Sequence, residues 1–139
     1  MYKEVTLLDE NGNEINVPMK ATAATPYRFR QTFHEEIPLG GDKSALLVNA
    51  MVEAGLDDLS GADGTAKAAI CLDRASEKIR KLAYIMAMSA KGEKMDELNE
   101  EKYVDWIDGI DPTAFDGGKE AEIWEVYQRS SKNQSIPKK

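Results

Sequence analysis

The spacing of apolar and polar positions changes period several times along the chain, and each change marks an element. Residues 3–8 (Lys-Glu-Val-Thr-Leu-Leu) and 14–19 (Glu-Ile-Asn-Val-Pro-Met) are rich in β-formers, and Ile15 and Val17 alternate with polar neighbours. Asn11-Gly12 between them supports the positive φ angles of a type I′ turn, so a β-hairpin is predicted over 3–19 with one face to bury. Pro18 cannot donate to a ladder and belongs at an edge or strand end. Thr25-Pro26 reads as an N-cap followed by a first-turn proline, opening a helix over about 26–36 that carries Tyr27, Phe29 and Phe33. After Pro38-Leu39-Gly40-Gly41, a second helix is expected over about 43–54, with an apolar stripe of Leu47, Val48, Met51 and Val52 and Gly55 as its C-cap.

A longer helix is predicted over about 66–90. Leu72, Ala75, Ile79, Leu82, Ala83 and Met86 fall on one face, and the opposite face is charged from Asp73 to Lys81. From Leu82 to Met88 the helix becomes apolar all round, which places that end in a core or a subunit interface. Gly92 ends it. A short helix over about 100–108 carries Tyr103, Val104, Trp106 and Ile107, and a last one over about 119–130 carries Ile123, Trp124 and Tyr127. Residues 131–139 are polar and basic and are expected as a flexible tail. The fold class is therefore mainly α (α+β): one domain over 1–130, a helical body with a central long helix and a small N-terminal β-hairpin.

Composition narrows the class of function. A chain of 139 residues suits one domain with a modest core, and 42% hydrophobic residues argue against wholesale disorder. No stretch approaches the roughly 20 apolar residues that cross a bilayer, and no apolar signal core follows Met1, so a cytoplasmic chain without membrane contact is expected. Cys71 is the one cysteine and lies in an apolar run, where a small buried thiol is the expected role. The formal net charge is −7; Arg129, Lys132, Lys138 and Lys139 come after the last acidic residue, Glu125, and leave residues 1–125 at −11. An acidic body repels a polyanion, so no nucleic-acid binding is expected.

The chemical motifs fail one by one. His34-Glu35-Glu36 begins like a zinc protease motif, but His34 is the single histidine and cannot supply a three-ligand site. Gly40-Gly41-Asp42-Lys43-Ser44 resembles the end of a phosphate-binding loop, yet Asp42 stands where the glycine next to Lys43 belongs and would face the phosphates. Asp9, Asn11 and Asn13 alternate as in a calcium loop, but Glu14 and Lys20 occupy its glycine and bidentate-glutamate positions. Asp57-Asp58 and the pair Asp105 and Asp108 carry no mark of burial. No catalytic residue, cofactor or metal is expected. Trp106, Trp124, Tyr103 and Tyr127 are either core or contact anchors, with ordinary burial tendencies favouring core.

Four stretches carry a resemblance. They are Thr25-Pro26-Tyr27-Arg28-Phe29-Arg30-Gln31-Thr32-Phe33, the helix Glu77-Lys78-Ile79-Arg80-Lys81-Leu82-Ala83-Tyr84-Ile85-Met86-Ala87, the segment Glu101-Lys102-Tyr103-Val104-Asp105-Trp106-Ile107, and Ile123-Trp124-Glu125-Val126-Tyr127-Gln128 with its lysine-ended tail. In this order they resemble a tail assembly chaperone of long-tailed bacteriophages and prophages of Gram-positive hosts. The resemblance implies a non-enzymatic protein that coats the helical tape measure protein, keeps it soluble during tail morphogenesis and is absent from the mature virion. It also implies self-association. Tyr84, Ile85 and Met88 are the expected residues for self-association or client contact, Trp124, Tyr127 and the basic Lys138 and Lys139 those for the client side, and Trp106 is a further candidate for protein interaction. Pro137-Lys138-Lys139 is compatible with the frameshifted longer form that such families often make. The competing classes are a small regulatory adaptor of a mobile element that binds a host protein, and a virion structural protein.

Overall fold

The computed structural model describes residues 2–38, 43–54 and 64–135. Among them, β1 (Tyr2–Leu8) and β2 (Glu14–Lys20) form an antiparallel hairpin, succeeded by five helices: α1 (Thr25–Phe33), α2 (Lys43–Ala54), α3 (Gly64–Lys91), α4 (Glu100–Asp108) and α5 (Lys119–Ser135). A single 3₁₀ turn, Met95–Glu97, lies between α3 and α4. The helical body, the long central helix and the N-terminal hairpin are those the sequence predicts.

The hairpin pairs Val5 with Val17 and Lys3 with Met19. Val5, Leu7 and Met19 are buried, with β2 packing on α3 and β1 meeting α5, while Ile15, near the turn, is exposed. The loop is not the tight type I′ turn expected of Asn11-Gly12, because only Gly12 has positive φ (80°). Gly12 N–H instead donates to the Asp9 carbonyl at 2.9 Å, and Asp9 Oδ1 accepts the backbone N–H groups of Asn11 and Asn13. Asp9 thus spends its carboxylate on turn geometry, and the wider loop lets Glu10 reach the rest of the molecule. Glu10 N–H donates to the Gly109 carbonyl at 3.1 Å and Asp111 N–H to the Leu8 carbonyl at 2.9 Å, which staples the hairpin to the segment after α4.

α1 starts and ends differently from its expected limits. Its N-cap is Ala24; Thr25 lies inside the helix, where its Oγ1 accepts from Thr22 N–H at 2.8 Å. The helix stops at Phe33 because His34 adopts a left-handed conformation (φ 56°), its N–H donating to the Arg30 carbonyl. That early stop turns Glu35 and Glu36 out of the helix and over the flank of α3. Phe29 and Phe33 are buried; Tyr27 is outside, beneath the Arg30 guanidinium at 5.9 Å.

α3 is 28 residues long, or about 42 Å at 1.5 Å per residue. Every residue from Leu82 to Met88 is buried, so the stretch that is apolar all round lies in the core. Cys71, Ala75 and Ile79 continue the buried face, but Leu72, expected on it, is 57% exposed, because Cys71 one position earlier takes the inward place. The charged flank also departs from expectation: Lys78 and Lys81 are buried, with side-chain exposures of 2% and 9%. Lys78 Nζ donates to the Glu36 carbonyl at 2.6 Å and pairs with Glu35 at 3.3 Å and Glu53 at 3.1 Å. Lys81 Nζ pairs with Glu35 and with Glu77, and the two ammonium groups lie over the Phe29 and Phe33 rings respectively. Glu53 lies in the last turn of α2, where the helix dipole disfavours an acid, so Lys78 is what stabilises it there.

This pairing explains which way α2 faces. Leu46 and Ala50, on the same side as Glu53, are buried against α3, and Val48 and Val52 of the expected stripe point outward at 59% and 74% exposure. α5 runs to Ser135, so the first part of the expected 131–139 tail is helical; Gly55 and residues 136–139 lie outside the described residues. Burial pushes the Glu35 carboxyl up, but hydrogen bonds and charge from Lys81 and Lys78 outweigh it and hold it below the usual 4.5. A carboxylate held low stabilises the fold above its unfolded value and loses that contribution as pH falls. Glu35→Gln should therefore cost about 2 kcal/mol near neutral pH, because it removes the carboxylate that the two buried ammonium groups share. Lys78→Met, which keeps the packed stem, should cost less. Thermal melts of the three proteins check this, and the gap between wild type and Glu35→Gln should close as pH falls below 4.5.

Candidate interaction surface

The residues expected to meet a partner are mostly in the interior. Tyr84 and Ile85 are 1% and 0% exposed, and Met88 is buried at the end of the same run. Tyr84 joins an aromatic cluster with Phe33 (6.3 Å between centroids), Tyr103 (5.7 Å) and Trp106 (5.8 Å). Trp124 and Tyr127 are buried on the inner side of α5, their rings 5.1 Å apart, and the Tyr127 hydroxyl donates to the Pro38 carbonyl at 2.7 Å. These side chains hold α1, α3, α4 and α5 together and offer no surface to a partner in this conformation. Trp106 is half-buried, its ring in the same cluster. Lys138 and Lys139 lie outside the described residues.

Two other features are open to solvent. The first is α2. Its polar residues are Lys43, Ser44, Asn49 and Glu53 and the rest are apolar; among the described side chains Leu46 and Ala50 are buried, Leu47 and Met51 half-buried, and Val48 and Val52 exposed. A helix that is apolar on nearly all sides is ordinarily buried on all of them. Val48 and Val52, one turn apart, make its exposed ridge. Leu72 is the exposed apolar residue beside Leu47 where α2 meets α3, at a small hollow also lined by Ala75 and Ile79. Helical periodicity gives no warning of this ridge, because an apolar helix has no single face to bury and the ion pair at Glu53 decides which one is.

The second feature is a half-open pocket of about 350 Å³ at the junction of the hairpin turn, α3 and the α4–α5 connection. Ile107, Ile110, Pro112 and Phe115 form its apolar walls, and Glu10, Asp108 and Asp111 stand at it as carboxylates. The backbone staple between Asp9 and Ile110 is what brings Glu10 to this rim. Arg80 of α3 completes the lining, its guanidinium over the Phe115 ring at 5.4 Å and its buried Nε without a hydrogen-bond partner among the described residues. Asp111 accepts the hydroxyl and backbone N–H of Thr113, at 2.6 and 2.8 Å, and these bonds hold its carboxyl below the usual carboxylate range. Along the outer face of α4, Glu101, Val104, Asp105 and Asp108 are exposed at helical spacing and lead into the pocket.

The residues with a claim to chemistry take structural positions. His34 is exposed at the α1 C-terminus, Cys71 is a buried free thiol, and Asp9 is engaged in its turn. Gly40 to Asp42 and Asp57-Asp58 lie outside the described residues. Among the described residues there is no cluster of His, Cys, Asp and Glu that could hold a metal ion, and no helix long and apolar enough to cross a membrane. Comparisons with family models, with curated proteins and with solved structures returned no match. The reading of function therefore rests on the chain's own surface.

The aromatic cluster gives a pH signature. Desolvation raises the Tyr103 phenol from 10.0 to about 12, with Glu77 and Glu35 adding to the effect and Arg80 opposing it. A phenol that stays neutral in the fold but ionises when unfolded leaves stability flat below pH 10 and erodes it above. Between pH 10 and about 12 the wild type should thus lose stability more steeply than Tyr103→Phe, measured by chemical unfolding. An ultraviolet titration of the variant should show a smaller late phenolate step than the wild type, the buried Tyr84, also raised, remaining in both.

Proposed function

We propose that this protein is a non-enzymatic tail assembly chaperone of a long-tailed phage or prophage, binding and solubilising a helical tape measure protein. The observation that carries the reading is α2: an apolar helix fixed on one side by Glu53–Lys78 and open on the other at Val48 and Val52. A long helical client presents apolar stripes of its own, which aggregate if left in water. An apolar ridge on a firmly anchored helix is suited to covering such a stripe, in the manner of helix-in-groove recognition. The strongly acidic body keeps coated particles apart, since like net charge opposes association. The contact role expected of Tyr84, Ile85, Met88, Trp124 and Tyr127 passes on this reading to α2, since those residues are buried in the core.

Co-expression with the tape measure protein, and then light scattering of the soluble fraction, tests the reading. The wild type should give a soluble stoichiometric complex. Val48→Lys and Val52→Lys, which place charges on an already exposed ridge and leave the core alone, should leave the client insoluble while the variants themselves stay folded. An insoluble client beside free wild-type protein would overturn the assignment in favour of a regulatory adaptor with a different partner.

A further inference from the structure

We infer that the pocket beside α4 docks a basic amphipathic helix of the protein partner, seating an apolar side chain between Pro112 and Phe115 and lysine or arginine residues against Glu10 and Asp108. The inference rests on the reading that the partner is a helical protein and adds the charge pattern that partner carries. Three observations lead to it.

The walls are apolar and the cavity of about 350 Å³ is open to solvent, so a side chain can enter without displacing any part of the fold. The rim is acidic: Glu10, Asp108 and Asp111 meet one cation, Arg80, and the side chains of Glu10 and Asp108 make no hydrogen bond or ion pair with another described residue. Arg80, whose guanidinium lies over Phe115, offsets one of the three carboxylates and leaves the rim with a formal charge of −2. Third, the acidic surface is directional. Glu101, Asp105 and Asp108 run along α4 toward the pocket with the exposed Val104 among them, the complement of a helix that shows basic residues flanking an apolar stripe. The pocket shares no lining residue with α2, so the two surfaces can be tested separately.

The probe is a labelled synthetic helix of leucine and lysine, titrated with the full-length protein and monitored by fluorescence anisotropy at physiological ionic strength. A second peptide carries glutamate in place of lysine. The lysine peptide should bind and the glutamate peptide should not. Glu10→Gln with Asp108→Asn should weaken binding by about fivefold or more, since each rim charge contributes modestly. Glu4→Gln with Asp96→Asn, exposed positions away from the pocket, makes the same change in net charge and should leave binding within about twofold. All four substitutions are on exposed side chains, and circular dichroism verifies the fold. Equal weakening by both double variants would reduce the effect to net charge and overturn the site, as would no binding of the lysine peptide or binding of the glutamate peptide at Arg80. No tape measure protein enters this titration. Its failure therefore leaves the α2 reading standing, and a Val52→Lys protein that fails with the client should still bind the peptide.

Discussion

Two buried lysines fix the geometry of this molecule. Lys78 and Lys81 leave water almost completely, which is tolerable only if carboxylates and carbonyls replace the lost hydration. The replacements come from three separate elements: Glu35 and the Glu36 carbonyl after α1, Glu53 at the end of α2, and Glu77 on α3 itself. A network of this kind is a poor source of net stability but a strong specifier, because any other docking of α1 or α2 leaves an ammonium group stranded. The aromatic rings of Phe29 and Phe33 beneath the two cations reinforce the same arrangement.

That constraint makes α2 asymmetric. Hydrophobicity alone would let the helix roll, since its apolar residues surround it. The bond to Lys78 stops the roll and commits Leu46 and Ala50 inward, leaving the Val48–Val52 ridge in water. On the far part of α3 the apolar run from Leu82 to Met88 is enclosed by the hairpin, α1, α4 and α5, so the interior lies at one end of α3 and α2, with its exposed ridge, packs beside the other. The hairpin in turn serves two purposes: β2 covers α3 while β1 meets α5, and its loop carries Glu10 to the pocket rim.

Much of the fold is legible in the sequence, and what escapes a sequence reading does so for specific reasons. Element identity comes from period and breakers, and the limits of α2 and α4 match because Asn99 caps α4 through its side chain and α2 lies between breakers. The end of α1 is hidden because a left-handed His34 has no distinctive signal; glycine usually takes that place. The buried lysines are hidden because charge ordinarily means exposure, and only the tertiary arrangement reveals their partners. Their effect extends to α2, whose largest residues suggest one inward face while an ion pair decides on another. Of the candidate contacts, the aromatic and apolar residues of α3 and α5 are core, the outcome that their size and helical spacing favour. The acidic pocket is invisible for a different reason: Glu10 and Arg80 are far in sequence from Asp108 and Asp111, and Glu10 reaches them through the strand-like bridge between Asp9 and Ile110.

If α2 is held by its inner side so that its outer side can cover an apolar helix, its amides must sense the client. Hydrogen–deuterium exchange, comparing the free protein with its complex with a tape measure segment, tests this most directly. Protection of the amides of 43–54 should increase, with the core stretch 82–88 unchanged because it is already enclosed. Protection confined to α3 and α5, with α2 exchanging at its free rate, would contradict that role for α2 and return the contact to the residues that the fold has buried.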